Sequence, residues 1–306
     1  MEGARLAGRV CADSTVAYAW AYAMAIETMC ATMVPERALW LRGLFLERER
    51  IANHLEDLGT LSKDGGLAFG QTQCSLMKER WLVTHQRLAR HRYLMDAVIP
   101  GGVAYDLAEQ DRGQMQRECD DLETAVAGIQ DILVDHAGLQ ERVLGTGCLT
   151  IAQVEACGGV GLAARASGLA RDMRTEFPTP PYDVLSTRIA VHKAGDVAAR
   201  MAVRFDEIHE SLRLIRHILA DLPPGPVMKA PRITTGSYGL GCVEGWRGEI
   251  VVAIDRAAPG RLHHIHIHDP SWQNWPLLEE AVIGNLIPDF PLINTSFHLA
   301  YSGHDL

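Results

Sequence analysis

Apolar residues recur at three- and four-residue intervals through most of the first two thirds of this chain, a spacing that predicts long helices. The earliest signal is an uninterrupted apolar run from Val16 to Ile26, introduced by Asp13, Ser14 and Thr15 and closed by Glu27. A membrane-spanning helix needs about 18 or more apolar residues. The run is shorter than that, and reads as a buried helix with an N-cap cluster. Pro35-Glu36-Arg37 starts the next helix, with proline in its first turn and an acid near its positive end. Trp40, Leu44, Ile51, Leu55 and Leu58 form its apolar stripe, and Gly59 is the predicted stop. Further helices are predicted from about Gln73 to Ala97, from Leu107 to Asp135, and from Ala194 to Ala220. The last carries Met201, Phe205, Ile208, Leu212, Ile215 and Leu219 on one face. Four long helices of this kind pack as a bundle.

The pattern then changes. Gly138 to Tyr182 is rich in Gly, Thr and Pro and reads as irregular, and Asp221 to Pro226 ends the last long helix. Beyond it Gly236 to Gly245 is glycine-rich, while Glu249–Ile254 and Arg261–His268 read as strands joined by a turn at Ala257–Gly260. A short helix follows around Pro276–Val282, and the tail from Asp289 has no period. The predicted class is α+β, mainly α, with a long-helix bundle core and a small C-terminal antiparallel β element. Residues 1–226 form the bundle, with an irregular insert near 138–182. Residues 227–306 pack on the same core, in one structural domain.

A chain of 306 residues, 47% of them hydrophobic, suits one large or two ordinary domains. A net charge of −9 argues against nucleic-acid binding, which needs a basic face. The N-terminus has no secretory-signal pattern. The seven cysteines are Cys11, Cys30, Cys74, Cys119, Cys148, Cys157 and Cys242, with no C-x-x-C pair. An odd, scattered set reads as reduced thiols rather than a disulfide framework.

Several groups carry candidate chemistry. Gly159-Val-Gly161-Leu-Ala-Ala164 fits a loose dinucleotide-loop pattern, but no strand precedes it and no βαβ alternation surrounds it, so a tight turn into a helix is the better reading. His264, His266 and His268 share one face of a strand, with His263 beside them; they are candidate metal ligands or an exposed polar face. Glu47 and His54 lie on the apolar stripe, where an acid needs a partner, and Arg50 is the nearest. They form either a proton-handling, cofactor-facing pair or an inter-helix ion pair. Arg247, between glycines in Val243-Glu-Gly-Trp-Arg-Gly-Glu249, either holds an anion or cofactor ligand bidentately or makes a surface ion pair in a turn, and taken alone the ion pair is the better reading.

Taken in order, Val34–Arg42, Glu47–Leu55, His91–Asp96, Pro100–Val103, Gly145-Thr-Gly147, Ala164–Gly168, Gly195-Asp-Val197 with Arg200, Val243–Glu249 and Asn274-Trp-Pro276 form a specific set. The set resembles the large subunit of nickel–iron hydrogenases of the membrane-bound, formate-hydrogenlyase type, and the related 49-kDa subunit of respiratory complex I. The resemblance covers the chain from about Gly8 to Leu306. It implies two C-x-x-C pairs holding a nickel–iron centre. Here Cys11 is kept, Ser14 stands at the second position, and Ala300 and Gly303 stand at the other two. Tyr18 occupies the place of a following histidine, and Arg247 matches the arginine that contacts the cluster's diatomic ligands.

One thiolate cannot hold that cluster, so the expectation is no metal and no hydrogen chemistry. The resemblance further implies an iron–sulfur small subunit and membrane subunits as partners, a position on the inner face of the cell membrane, and a cavity at Cys11, Ser14, Glu47, His54, Arg247 and Ala300 for a quinone or other acceptor. In complex I a tyrosine stands near the first ligand position, where this chain has Ala12. The start, ten residues before Cys11, is expected to reflect a truncated or alternative-start form. A non-catalytic structural subunit, with the cavity collapsed around Tyr18 and Trp246, is the rival expectation. A partner subunit also implies an exposed apolar patch.

Overall fold

A computed structural model describes residues 2–232, 236–258 and 261–304. The helices in chain order are α1 (Glu2–Ala7), α2 (Thr15–Met29), α3 (Glu36–Asp64) and α4 (Ala68–Ala89). A two-residue hairpin pair, β1 (Val98–Ile99) and β2 (Gly102–Val103), precedes α5 (Glu109–Asp135). Short helices α6 (Ala137–Val143), α7 (Ile151–Ala156), α8 (Gly161–Ala166), α9 (Met173–Glu176) and α10 (Tyr182–Leu185) lead to α11 (Val197–Asp221). Then come β3 (Tyr238–Glu244), β4 (Glu249–Ala258) and β5 (Arg261–His268), followed by α12 (Ser271–Val282), α13 (Phe290–Phe297) and α14 (Tyr301–His304). The class is α+β, mainly α.

The central helix is α3, which packs against α4, α11 and α13. Its predicted stripe of Trp40, Leu44, Ile51, Leu55 and Leu58 is buried. The helix does not stop at Gly59 but runs to Asp64, with Gly65 closing it. Gly59 instead lets α4 approach: a β-carbon there would stand 3.1 Å from the Cys74 β-carbon. The second predicted helix is displaced. It starts at Ala68 and ends at Ala89, because Arg90 turns left-handed with φ of 55°. The third and fourth helices lie within a few residues of their predicted ends, and the Asp196 carboxylate caps α11 by accepting from the Ala199 amide at 2.7 Å.

At the start of α2, Ser14 is the cap residue but makes no side-chain cap bond. The free amides of Val16 and Ala17 donate to the Glu49 carboxyl on α3, at 2.6 and 3.1 Å. A carboxyl there satisfies two of the four orphan donors at a helix start.

The glycine-rich run from 236 to 245, to which the sequence pattern assigns no element, is a strand for most of its length. The sheet has three strands in order β3-β4-β5, both pairs antiparallel. Glycine signals turns because it lacks a side chain to pack, and here that lack is what the packing needs. β3 lies flat on alanine-rich α2: β-carbons at Gly239 and Gly241 would fall 1.9 and 2.0 Å from the carbonyl oxygens of Ala25 and Ala21. Strand β4 reaches Ala258, past the predicted Ile254. Pro259 and Gly260 of the predicted turn lie outside the described residues. The last short helix starts at Ser271 and contains Pro276, and the aperiodic tail forms α13 and α14.

Candidate functional site: the ligand positions and a buried charge cluster

Four chain segments meet at the N-terminal end of α2. Cys11 and Ser14 precede the helix, and Tyr18 lies one turn along it. Arg247 comes from the β3–β4 turn, Asp269 from the end of β5, and His298, Ala300 and Gly303 from the C-terminal segment. The turn that carries Arg247 rests on the glycine motif. Gly161 has φ of 62°, and a β-carbon on it would stand 1.8 Å from the Arg247 carbonyl oxygen. The segment before it is helix α7, not a strand. The dinucleotide pattern is therefore a packing device that seats Arg247.

Arg247 has an anionic partner in Asp13. Its Nη1 donates to Asp13 Oδ1 at 3.0 Å and to Ser14 Oγ at 3.2 Å, and its Nη2 donates to Asp13 Oδ2. Nη1 also points at Cys11 Sγ at 3.6 Å, and Nε donates to the His298 carbonyl oxygen at 2.5 Å. The guanidinium carbon sits 4.1 Å from the Trp246 ring centroid, a cation–π contact. Trp246 Nε1 donates to Ser14 Oγ at 3.0 Å, and Ser14 in turn donates to Asp13. Burial would raise Asp13, but the Arg247 charge holds it below the usual carboxylate range. Burial pushes the Cys11 thiol up to about 11, with Asp13 adding to the rise and Arg247 opposing it.

On the other side, the buried Tyr18 hydroxyl donates to Asp269 Oδ2. Asp269 also accepts from the Ser271 amide at 2.7 Å, and the Ser271 hydroxyl accepts from the Ala300 amide at 2.9 Å. A β-carbon at Gly303 would stand 2.5 Å from the Asp269 carboxyl carbon. Asp269 thus fills the space that a side chain at 303 would use.

These residues do not fit a nickel–iron centre. They offer one thiol, where the centre needs four. Ser14 has both hydroxyl roles taken, Ala300 has no donor, and position 303 is occupied by the Asp269 carboxyl. Among the described residues no three His, Cys, Asp or Glu side chains stand where they could share a metal ion. On β5, His263 faces Asp255 at 3.2 Å and His268 faces Gln273 at 2.8 Å.

The structure brings Cys11, Ser14, Tyr18, Arg247, Ala300 and Gly303 together, and bonds Glu47 and His54 into a second, fully buried cluster. Glu47 meets Arg50 (3.3 Å), Arg174 (3.2 Å), the Tyr182 hydroxyl (2.5 Å) and the Ser211 hydroxyl (2.5 Å). His54 Nε2 meets Glu207 Oε2 at 2.8 Å. Glu207 pairs with Arg165 at 2.7 Å, and Arg165 pairs with Glu244 at 2.8 Å. Arg174 also holds Asp172 at 2.6 Å. Burial works against every charge here. Even so, Arg174 and Arg50 keep Glu47 below its usual range, and Arg165 and His54 keep Glu207 well below it. Burial lowers His54, so it is neutral near pH 7. Trp246 bridges the two clusters, edge-on to both His54 and His298, with ring centroids 6.1 and 5.3 Å away.

Sequence reasoning misses Asp269, Arg165, Asp172, Arg174, Glu207 and Glu244 as site residues, and shows Asp13 only as part of a helix cap. The missing object of Arg247 is the one signal that a nearby acid should exist.

The fold and these ligand positions define a large-subunit-like protein of the nickel–iron hydrogenase and complex I kind, with a degenerate metal site. Residues 66–239 match the family model described as respiratory-chain NADH dehydrogenase, 49 Kd subunit, and the chain belongs to that family. It is 29% identical to formate hydrogenlyase subunit 5 of Escherichia coli (strain K12) over 301 residues, covering 98% of this chain and 53% of that protein. The chain therefore spans about half the length of that relative. It is 31% identical to the carbon monoxide-induced hydrogenase of Rhodospirillum rubrum, covering 95% and 81% respectively. It is 29% identical to an NADH-quinone oxidoreductase subunit of Clostridium beijerinckii, covering 88% and 73%. Among solved structures, a chain of the membrane-bound sulfane sulfur reductase, an archaeal respiratory membrane complex, superimposes with a TM-score of 0.93 at 26% identity, over 100% of this chain and 85% of that one.

Proposed function

We propose that the chain is the 49-kDa-like large subunit of a membrane-associated oxidoreductase complex, packed beside an iron–sulfur small subunit and membrane subunits at the inner face of the membrane, with no nickel–iron centre of its own. The observation that carries this reading is the closed set of protein–protein bonds at the four ligand positions, with Asp13 taking the guanidinium of Arg247 and Asp269 filling the space at Gly303. The membrane setting is drawn from relatives that work in such complexes. None of the described helices is long and apolar enough to cross a membrane, so contact with membrane subunits would be peripheral. Ile283, Leu286, Ile287 and Phe290 form an apolar surface run, between 50% and 91% exposed, that a partner subunit would cover. On this reading the chain holds the architecture around the partner's cluster and carries no hydrogen chemistry.

One observation favours a second reading, in which a quinone head-group enters beside Arg247. The outer partners there, Asp13 and His298, keep 28% and 39% of their side chains exposed. Purification of the native complex, with nickel, iron, acid-labile sulfide and quinone counted per complex, tests both. Iron and sulfide without nickel is the expected result. Nickel at one per complex would overturn the proposal. Stoichiometric quinone that is lost on Arg247→Ala substitution would replace the structural reading with the acceptor one.

A further inference from the structure

The buried cluster around Glu47 and His54 is unbalanced in charge. Its four carboxyls, Glu47, Asp172, Glu207 and Glu244, face three guanidiniums, Arg50, Arg165 and Arg174. The neighbouring pairs, Arg204 with Asp57 and Arg247 with Asp13, balance within themselves. A buried, uncompensated charge is expensive, and a group that can take a proton does so instead.

His54 is poorly placed to take it. Its Nε2 already faces Glu207, and its Nδ1 has no hydrogen-bond partner among the described residues. A second proton on the ring would be a buried, charged, unpartnered donor. Glu47 is held by Arg174 and by the Tyr182 and Ser211 hydroxyls, and Glu207 by Arg165, Arg50 and the His54 ring. Asp172 is gripped by Arg174 through two nitrogens and lies 3.7 Å from Arg165.

Glu244 remains. It accepts from Arg165 Nη1 at 2.8 Å and from the Met173 amide at 3.1 Å. Arg50, from α3, spends its Nη2 on the Glu244 backbone carbonyl at 2.7 Å rather than on the carboxyl. Asp172 competes for the same Arg165 nitrogen. Glu244 also lines a narrow cleft with Phe177, Thr179 and Tyr182, with room for about one water molecule, and Phe177 is exposed at its rim.

We propose that Glu244 is a solvent-connected proton site that takes up and releases one proton through this cleft while the rest of the cluster stays ionised. The carboxylate oxygen forms an O–H bond with a proton from water, and no electron moves. Burial, with the Asp172 charge adding to it and the Arg165 charge opposing, pushes Glu244 up to about 7. The site stands whether or not the chain sits beside an iron–sulfur cluster.

Infrared spectroscopy of the full chain across pH reads the carboxylic C=O stretch directly. The wild type should lose one protonated carboxyl with a midpoint near the value given for Glu244. Glu244→Gln should abolish that step, and Glu49→Gln, which alters the other raised carboxyl, should leave it. Asp172→Asn removes the neighbouring anion and should lower the midpoint by about one unit or more. The later step that belongs to Glu49 remains in Glu244→Gln; a step at the Glu244 midpoint that survives Glu244→Gln, or a folded wild type with no step there, overturns the proposal. If Glu244→Gln does not fold, a midpoint unmoved by Asp172→Asn overturns it equally.

Discussion

Substituting Gly303 by alanine should destabilise the protein, although a helical glycine would ordinarily gain from it. Gly303 lies in α14, and glycine is about 0.5–1 kcal/mol worse than alanine inside a helix. The added β-carbon would stand 2.5 Å from the Asp269 carboxyl carbon and 2.7 Å from its Oδ2. That carboxyl cannot swing away freely, because it holds the Tyr18 hydroxyl and the Ser271 amide. Overpacking of this kind costs about 1–3 kcal/mol. The same substitution in an Asp269→Ala background meets no carboxyl and should be neutral or stabilising. Asp269→Ala alone should cost about 1–3 kcal/mol, by leaving a buried tyrosine hydroxyl without its acceptor. The double mutant should then be more stable than the sum of the two singles implies, by about 1–3 kcal/mol. Urea denaturation of the four variants measures the cycle, and the slope of each transition checks that the unfolded state is unchanged. Additivity within about 0.5 kcal/mol, or a stabilising Gly303→Ala in the wild-type background, would refute the idea that Asp269 fills the fourth ligand position.

Two further outcomes follow from the same geometry. Arg174→Met leaves Glu47 and Asp172 buried without their main cation, and should cost about 3–5 kcal/mol; adding Glu47→Gln should recover part of that loss, and denaturation midpoints that simply add would count against the network. Glu49 is pushed up to about 8, chiefly by burial, so the folded chain keeps a proton that the unfolded chain has already released above the ordinary carboxylate range. Stability should therefore fall as pH rises from the ordinary glutamate value toward that point and level off beyond it, and Glu49→Gln should flatten this part of the thermal-stability profile; an unchanged slope in the variant would rule Glu49 out as its source.

The parts of the fold that the sequence made legible are those where one face is apolar. Helices α3, α5 and α11 announce themselves by period, and their stripes are the core. What escaped was set by backbone proximity. Strand β3 shows no strand pattern because its glycines admit α2, and the helix lying on it leaves no trace in the strand's own pattern. Gly59 reads as a stop for the converse reason, since close passage of α4 and helix termination both ask for the same residue. The site was legible where residue type alone matters: Ser14, Ala300 and Gly303 show that three of the four ligand cysteines are missing, with Cys11 kept. Which groups replaced them was not legible, because Asp13 and Tyr18 lie at the far end of the chain from Asp269, Tyr18 and Asp269 being 251 residues apart. The division of Glu47 and His54 from Arg247 was hidden for the same reason. All three lie near Trp246, but only the folded chain shows which acids each faces.

The contrast between the two clusters has a physical cause. A metal-binding thiol makes few bonds to the protein around it. Once the metal is absent, replacing it by Ser, Ala or Gly strands no charge, and a neighbour such as Asp269 can move into the space. A residue of the Glu47–Glu207–Glu244 cluster is in a different position. Each guanidinium there serves at least two carboxyls, so removing any single member leaves buried charge behind, at a cost of several kcal/mol. Such a cluster cannot be dismantled one residue at a time, whether or not it still serves catalysis. Its presence is therefore weak evidence that chemistry survives at the ligand positions. Arg247 shows the same rule at the boundary. Its guanidinium is buried because Asp13 offers a compensating charge, so the pair is stable on its own charges.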